Sequence, residues 1–391
     1  MALMLSYYPA RATIDLGALS HNLQRVRECA PGKKIMGIVK ADAYGHGRAH
    51  VARTLIDEGV EYLGVAQLGE ALALREEVGD GTHILSWVFS QGAPLEDAIK
   101  KNIDISLGAM WAIDDVCQAV KNVRHGGQVN ACARVHIKVD TGMSRGGFSV
   151  EEFPEACEKI MRCVSEGVFH VVALWSHFAR ADEPESGTCE KQCAIFDAAY
   201  EQACNMGLDI PMRHISASGG ILWHPYAHYD MVRPGIMLYG LSPSPDIATA
   251  SELNLRAVMT LSADVMNERI IEGGTGVSYG HTEHVGENTR VGVVPLGYAD
   301  GISRLASSVA PVSINGKRTR IVGRVCMDQC IVELPEDVHP GDKAVLFGDA
   351  HDNVPTADEW GSVTQTIGYE VVTTLGARVP RVYVDRKETN V

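Results

Sequence analysis

The sequence predicts an α/β protein: an N-terminal (β/α)8 barrel of the TIM type, followed by a C-terminal, mostly antiparallel β-domain. Two observations support this fold class. Short apolar runs alternate eight times with helix-patterned stretches over the first part of the chain, which is typical of a barrel of parallel strands. Beyond that part, helical spacing gives way to short β-branched runs and a hairpin signal.

The chain has 391 residues, which is enough for a barrel of about 250 residues and a smaller second domain. Ser242-Pro243-Ser244-Pro245 interrupts the periodicity, as proline pairs commonly do at turns and boundaries. We therefore expect a barrel domain over residues 1–245 and a β-domain over residues 246–391.

The first predicted element is a helix over residues 15–29, with Asp15 as N-cap and apolar residues at helical spacing. The eight barrel strands are predicted at 35–39, 62–66, 83–88, 103–107, 135–139, 171–175, 212–216 and 231–233. Helix-patterned stretches such as 69–78 and 190–206 lie between them.

Unusual polar residues follow these strands. Lys40 closes the first strand, residues 140–145 follow the fifth, His177 follows the sixth, Ser218 the seventh, and residues 233–236 lie at the eighth. In a barrel of this type the active site lies at the C-terminal ends of the strands. The sequence therefore predicts that these residues meet in one functional site at the C-terminal rim of the barrel.

In the second domain, residues 312–314, the pair Asn315-Gly316 and residues 320–322 predict a β-hairpin. Asn-Gly favours a tight turn because both residues tolerate positive φ. Further strands are predicted at 290–294 and 330–334.

Composition excludes several protein classes. Hydrophobic residues at 46% and charged residues at 21% are ordinary for a globular protein, and no segment approaches the roughly 20 apolar residues of a membrane span. The first residues lack the basic start and apolar core of a signal peptide, so a cytoplasmic location is expected. A net charge of -14 disfavours nucleic acid as a partner.

The ten cysteines include no Cys-x-x-Cys pair, which favours reduced thiols over a disulfide framework. Cys189 and Cys193, like Cys326 and Cys330, are four residues apart, but no histidine follows at metal-ligand spacing. We expect no metal site.

Lys40 ends an apolar strand and begins a polar, glycine-containing loop. Such a lysine either extends its stem along the core to reach water or, held in apolar surroundings, acts as a Schiff-base nucleophile or proton carrier. Tyr44 and His46 place polar groups beside it, while Gly45 and Gly47 allow close approach of a ligand.

The run Val39-Lys40-Ala41-Asp42-Ala43-Tyr44-Gly45-His46-Gly47 resembles the pyridoxal-phosphate lysine motif of alanine racemases, and further similarity extends over residues 10–383. The resemblance implies that Lys40 binds pyridoxal 5'-phosphate and acts as one of two bases that interconvert L- and D-alanine, which supplies D-alanine for peptidoglycan. It also implies a homodimer in which the β-domain contributes to the partner subunit's active site.

Residues 137–145, which alone could be a strand with a surface ion pair, are similar to a second family motif. The resemblance assigns Arg145 to the substrate carboxylate and the cofactor phenol oxygen, and Lys138, often carbamylated in the family, to positioning that arginine. His177 would stack on the pyridine ring, although a histidine there is equally compatible with a core position.

The turn at Ser218 is a weak phosphate-binding signal by itself. The resemblance assigns Ser218, Gly235 and Ile236 to the cofactor phosphate, and this chain has Ala217 where the family usually has asparagine. It places Arg233 against the pyridine nitrogen. A guanidinium disfavours a proton on that nitrogen, which weakens the ring as an electron sink and suits racemisation rather than transamination.

In the β-domain the resemblance makes Tyr279 the second base, although an exposed loop tyrosine more often serves only packing. Met327 would contact the substrate carboxylate through its backbone. Tyr298 would lie at the substrate entrance, and Tyr44 and Tyr369 would bind the cofactor, Tyr369 at its phosphate.

Three alternatives stay open at this point. Related amino-acid decarboxylases lack counterparts of Arg145 and Arg233, and a barrel-only cofactor carrier would lack Tyr279 and the β-domain. A racemase of broader specificity, or one that prefers serine, differs only in pocket volume, because a small apolar pocket rejects one added hydroxyl poorly.

Overall fold

The computed structural model describes residues 7–385. Residues 1–6, which belong to the stretch considered for a signal peptide, and residues 386–391 of the predicted β-domain lie outside the described part. Contacts divide the chain into two compact units. The first unit comprises Leu23–Ala43 and Arg48–Leu238, and the second comprises the described residues up to Asn22, Tyr44–Gly47, and the described residues from Tyr239 onward.

The first elements of the described residues are strand β1 (Ala10–Asp15) and helix α1 (Leu16–Cys29). Asp15 Oδ1 accepts hydrogen bonds from the backbone N–H groups of Gly17 and Ala18 at 3.0 and 3.2 Å. These N–H groups have no partner within the helix, so a side-chain acceptor before it stabilises its first turn. The predicted N-cap is confirmed.

The first unit is a barrel of parallel strands, as predicted. Its strands are β2 (Lys34–Ile38), β3 (Tyr62–Gln67), β4 (His83–Val88), β5 (Asp104–Leu107), β6 (Ala133–Lys138), β7 (Phe169–Trp175), β8 (Arg213–His214) and β9 (Met231–Val232). They pair in chain order from β2 to β8, and β9 pairs with β2.

Strands β8 and β9 are shorter than predicted, because regular pairing stops after two residues in each. Single backbone hydrogen bonds continue beyond them: Asp230 N donates to Arg213 O at 3.1 Å and Arg233 N donates to Ser216 O at 2.9 Å. These bonds join the two ends of the sheet and close the barrel.

Helices lie between the barrel strands. They are α2 (Arg48–Asp57), α3 (Leu68–Val78), α4 (Leu95–Lys100), α5 (Met110–His125), α6 (Phe153–Ser165), α7 (Thr188–Asn205) and α8 (Ser218–Trp223). Helix α6 is amphipathic: its buried residues Phe153, Ala156 and Ile160 have the spacing of one helix face. Helices α3 and α7 confirm the two predicted stretches.

No helix within residues 7–385 is both long enough and apolar enough to cross a membrane.

The second unit is the predicted, mostly antiparallel β-domain. Its later strands are β10 (Met259–Asp264), β11 (Glu268–Ile271), β12 (Gly276–Val277), β13 (Glu283–His284), β14 (Thr289–Val294), β15 (Pro311–Ile314), β16 (Lys317–Arg320), β17 (Cys330–Glu333), β18 (Lys343–Phe347) and β19 (Arg381–Val384). Two helices, α9 (Ala357–Val363) and α10 (Gly368–Thr373), complete it.

A six-stranded sheet, in the order β16-β15-β18-β10-β1-β19, forms the largest part of this unit. The first described strand, β1, therefore pairs with β10 and with the last described strand, β19, and of the five strand pairs in this sheet only β1–β19 is parallel.

The hairpin β15–β16 turns at Asn315 and Gly316, whose φ values of 50° and 74° fit the predicted primed turn. Its second strand begins at Lys317, opposite Ile314, earlier than the predicted residues 320–322. Because the turn contains only Asn315 and Gly316, strand pairing resumes at the next residue, Lys317.

Candidate active site

Lys40 follows the first barrel strand and directly precedes a left-handed backbone turn. The next four residues, 41–44, have φ of 53° to 54°, a left-handed conformation that costs an L-residue about 1–2 kcal/mol. Glu70 supports this turn, because its Oε1 accepts a hydrogen bond from Ala41 N at 2.6 Å. Its Oε2 accepts from two further N–H groups, of Ala66 and Gln67, at 3.1 and 3.0 Å. One carboxylate therefore ties the ends of two neighbouring strands together beside Lys40.

The amine of Lys40 lies in a partly buried, cationic environment. Burial lowers the pKa of Lys40 below its ordinary value, Arg145 and Arg233 lower it further, and Glu70 opposes them. A lysine with a lowered pKa has more free amine near neutral pH, which is the form that acts as a nucleophile or a base.

Lys138 and Arg145 flank the loop after β6. Asp140 Oδ1 accepts three backbone hydrogen bonds within this loop, from residues 142–144, at 2.9 to 3.2 Å. Gly147 has φ of 117°, and a Cβ there would lie 2.7 Å from Asp140 N, so the return of the loop requires glycine. Burial, followed by the charge of Arg145, lowers the pKa of Lys138 to about 8. Its Nζ lies 5.1 Å from the centre of the Trp175 ring.

Arg233 is only 4% exposed and holds His177. Its Nη2 donates to His177 Nδ1 at 3.0 Å and to the backbone oxygens of Ser176 and Ile215 at 2.9 Å each. Burial lowers the pKa of Arg233 to about 9, which leaves it a cation at neutral pH. Burial and the charges around it, that of Arg233 first, push the pKa of His177 well below its ordinary value. His177 is therefore a neutral, flat ring whose proton is on Nε2.

Arg233 also begins a chain of hydrogen bonds inside the barrel. Arg233 Nη1 lies 2.9 Å from His214 Nδ1, His214 Nε2 lies 3.0 Å from His136 Nδ1, and His136 Nε2 lies 3.1 Å from Asp104 Oδ2. Arg134 makes a two-fold contact to the same carboxylate, at 2.6 and 3.2 Å. Asp104, His136 and His214 are 0% exposed.

Ser218 begins helix α8 after the seventh barrel strand. Its Oγ accepts hydrogen bonds from Gly235 N at 3.1 Å and from Met237 N at 3.3 Å, and Ile236 lies buried between these two residues. A Cβ at Gly220 would lie 2.8 Å from the Ser216 side chain, so this turn accepts only the smallest residue. Ala217 makes no capping hydrogen bond with its side chain.

In the second unit, Tyr44 packs among aromatic rings. Its ring centroid lies 4.7 Å from that of Tyr239 and 6.4 Å from that of Tyr369. Burial raises the pKa of Tyr44, so its hydroxyl keeps its proton. The structure therefore brings together Tyr44 and Tyr369, two residues predicted to bind the same cofactor.

Three loops of the β-domain carry the other predicted residues. Ser278 Oγ donates to Arg324 O at 2.7 Å, which joins the Tyr279 turn to the segment before Met327. Ala299 N donates to Met327 O at 2.9 Å, which joins that segment to the Tyr298 turn. Tyr279, Met327 and Tyr298 are 70%, 52% and 45% exposed. Exposure of this degree leaves all three side chains accessible within the chain.

Within the barrel, the structure gathers the predicted rim residues at the C-terminal ends of the strands. They are Lys40, Lys138, Arg145, His177, Ser218, Arg233, Gly235 and Ile236. Within the β-domain it groups Tyr44 with Tyr369, and Tyr279 with Tyr298 and Met327.

Sequence reasoning missed Glu70, Asp104, His136 and His214. A signal for two of them was available, since β5 and β6 carry polar residues at every second position, including Asp104 and His136. Alternate residues of a strand share one face, and polar residues on the inner face of a small barrel require partners there.

Comparisons with known proteins identify the family of the chain. A family model described as the N-terminal domain of alanine racemase matches residues 14–243, and the model of the C-terminal domain matches residues 258–383. An alanine racemase from Beutenbergia cavernae is 46% identical over 383 residues, with 97% of this chain and 99% of that protein covered. One from Streptomyces coelicolor is 45% identical over 381 residues, with 96% of each covered.

Solved structures give the same result. The structure of an alanine racemase from Streptomyces coelicolor matches with a TM-score of 0.93 at 44% identity, covering 97% of this chain and 98% of that one. That of an alanine racemase from Streptomyces lavendulae matches with a TM-score of 0.92 at 40% identity, covering 96% and 97%. The chain therefore belongs to the alanine racemase family.

Proposed function

We propose that this protein is a pyridoxal-phosphate-dependent racemase that interconverts L- and D-alanine. The observation that carries the proposal is the barrel rim itself, where the amine of Lys40, with its lowered pKa, shares its surroundings with the Arg233 cation. Membership of the alanine racemase family, whose matched relatives are named alanine racemases, supports alanine as the substrate.

The residues of the rim fit pyridoxal phosphate. Lys40 offers an amine, His177 a neutral flat ring, and Arg233 a fixed cation. The residues that would hold the cofactor are Lys40, Tyr44, His177, Ser218, Arg233, Gly235, Ile236 and Tyr369. When bound, this cofactor withdraws electrons from the α-carbon of an amino acid.

Two bases handle the α-proton in this proposal. Lys40 Nζ takes up or returns the proton on one face of the α-carbon, and Tyr279 Oη does so on the other. Inversion at carbon requires proton removal and delivery on opposite faces. The lowered pKa of Lys40 favours its role, because a free amine must be available before it can accept a proton.

Arg233 sets the electrostatic character of the site. It is a cation held rigidly by four acceptors, two backbone oxygens and two imidazole nitrogens. A fixed positive charge disfavours a further proton nearby. Arg233 would therefore keep the ring nitrogen of the cofactor unprotonated, which limits side reactions and favours return of the proton to the α-carbon.

Arg145 and the backbone of Met327 would bind the substrate carboxylate. Arg145 is exposed on the rim, and a guanidinium can bind a carboxylate through two parallel hydrogen bonds. Carbamylation of Lys138 would turn this amine into an anion beside Arg145 and hold the guanidinium in place. Tyr298 would control the entrance.

The proposal includes a head-to-tail homodimer, with residues 1–245 as the barrel domain and 246–391 as a β-domain that serves the partner's site. It also includes a cytoplasmic location, where the ten free cysteines would stay reduced, and a role in supplying D-alanine for peptidoglycan.

The test is an assay of the purified protein with both enantiomers of alanine, serine and lysine, combined with borohydride reduction. We expect alanine to be racemised fastest in both directions, and reduction to fix a pyridoxyl group on the Lys40 peptide and abolish activity. A label on another lysine, or faster turnover of serine or lysine than of alanine, would overturn the corresponding part of the proposal.

A further inference from the structure

The barrel interior contains four buried residues linked in one line from the rim inward: Arg233, His214, His136 and Asp104. Three hydrogen bonds of 2.9 to 3.1 Å connect them. None of the proposed catalytic steps uses the last three residues. Burying polar side chains is costly unless each is hydrogen-bonded, so the direction of each hydrogen bond in this line matters.

The chemistry of the two ends fixes the direction of every hydrogen bond. Arginine can only donate, so His214 Nδ1 must accept from Arg233. His214 is neutral, because burial and the charge of Arg233 hold its pKa well below the ordinary value. Its proton is therefore on Nε2 and is donated to His136 Nδ1.

The other end of the line agrees with this assignment. An ionised carboxylate can only accept, so His136 must donate to Asp104 from Nε2, and its Nδ1 carries no proton because it accepts from His214. Burial disfavours the charged carboxylate, but hydrogen bonds from His136 and Arg134 outweigh it and lower the pKa of Asp104. Together, the two ends require the Nε2–H tautomer at both histidines.

We propose that Asp104 is a positioning residue for Arg233: its carboxylate fixes the tautomers of His136 and His214, so that an acceptor always faces the guanidinium. If the carboxylate is lost, the His136 proton can move to Nδ1. His214 must then accept at Nε2 and carry its own proton on Nδ1, which opposes the Arg233 N–H at 2.9 Å. Two opposed donors repel each other, so Arg233 Nη1 would lose its acceptor and the guanidinium would shift away from His214. The catalytic consequence rests on the proposed function, through the role of Arg233 beside the cofactor ring.

Histidine nitrogen NMR tests the tautomers directly, without any need for activity. Wild-type protein labelled with 15N-histidine and free of cofactor should show the proton on Nε2 at both His136 and His214. In Asp104→Asn, where the amide can present an N–H₂ group to His136, at least one of the two histidines should show Nδ1 protonation.

The matched control is Glu77→Gln. Glu77 makes a comparable two-fold contact to Arg48, at 2.7 and 2.9 Å, outside this line of residues. The Glu77→Gln substitution removes one carboxylate and its ion pair with an arginine, as Asp104→Asn does. It should leave the tautomers of His136 and His214 unchanged. A proton on Nδ1 of either histidine in the wild type, or unchanged tautomers in Asp104→Asn, would refute the inference.

Loaded enzyme gives a second readout. In Asp104→Asn the pH titration of the cofactor absorption should shift, and kcat for alanine should fall about 10- to 100-fold, the range found when a group that orients a metal ligand is lost. KM should stay within about twofold, because Arg145 and Met327 carry substrate binding. A change in KM alone would contradict the inference. If the wild type does not racemise alanine, the proposed function fails, and the NMR result on the cofactor-free protein still decides the tautomers.

Discussion

At the scale of single residues, Lys40 and Lys138 show how one barrel rim produces two reactive amines. Both lie close to Arg145 and Arg233, and burial is the main cause of the lowered pKa in each. Their surroundings differ in the acidic partner, which is Glu70 for Lys40 and Asp140 for Lys138. A free amine would suit both proposed roles, a base at Lys40 and an acceptor of CO₂ at Lys138.

The pKa of about 8 for Lys138 predicts a pH dependence for its carbamylation. Addition of CO₂ to the neutral amine gives a carbamate and releases a proton. At a fixed CO₂ concentration the modification should increase as pH rises toward 8, because free amine increases about tenfold per pH unit below the pKa. Labelling with 13CO₂ and 13C NMR measures it. Lys138→Arg is the control and should lack the signal. An equal signal at pH 6 and pH 8 would contradict this prediction.

Arg233→Glu tests the electrostatic role of the guanidinium. A carboxylate favours a proton on the pyridine nitrogen and so strengthens the ring as an electron sink. Racemisation should fall by about 100-fold or more, the scale of losing a preorganised charge, while transamination of alanine to pyruvate increases and a long-wavelength absorption appears. Circular dichroism establishes that the variant is folded. Normal racemisation without pyruvate would show that the electronic argument is wrong.

At the scale of elements, the left-handed turn after Lys40 is the segment that sequence patterns could not reveal. Four consecutive non-glycine residues at positive φ carry no compositional signal, and Glu70, which supports them, lies within an ordinary helix. The barrel strands and the hairpin were predictable, because apolar runs and the Asn-Gly pair are local signals. The start of β16 at Lys317 was not predictable in this way, because it depends on the register that the two-residue turn sets between β15 and β16.

Replacing Ala41 with glycine should stabilise the protein. Glycine removes the left-handed penalty of about 1–2 kcal/mol, while the greater freedom of glycine in the unfolded chain costs about 0.5–1 kcal/mol, so the free energy of unfolding should increase by up to about 1.5 kcal/mol. Ala73→Gly is the matched control in helix α3, where the same change should cost about 1 kcal/mol. Denaturant unfolding of both variants measures the difference. Equal destabilisation by both would show that the turn is not strained.

At the scale of the whole molecule, the chain divides its proposed chemistry between two units. The barrel carries Lys40 and Arg233, and the β-domain carries Tyr279 and Met327 on exposed loops. The fold class and most rim residues could be predicted because barrel strand ends define the rim. The roles of the tyrosines came only from family resemblance, since an isolated loop tyrosine carries no chemical signature.

Mixing two inactive variants tests the central claim that each site uses Lys40 of one subunit and Tyr279 of its partner. Lys40→Ala and Tyr279→Phe should each be nearly inactive, because each removes one base from both sites. After subunit exchange, verified by mass, about half of the dimers should be hybrids with one intact site, so that about a quarter of wild-type activity returns. If both bases came from one chain, every hybrid site would still lack one of them, and a verified mixture that stays inactive would contradict the shared site.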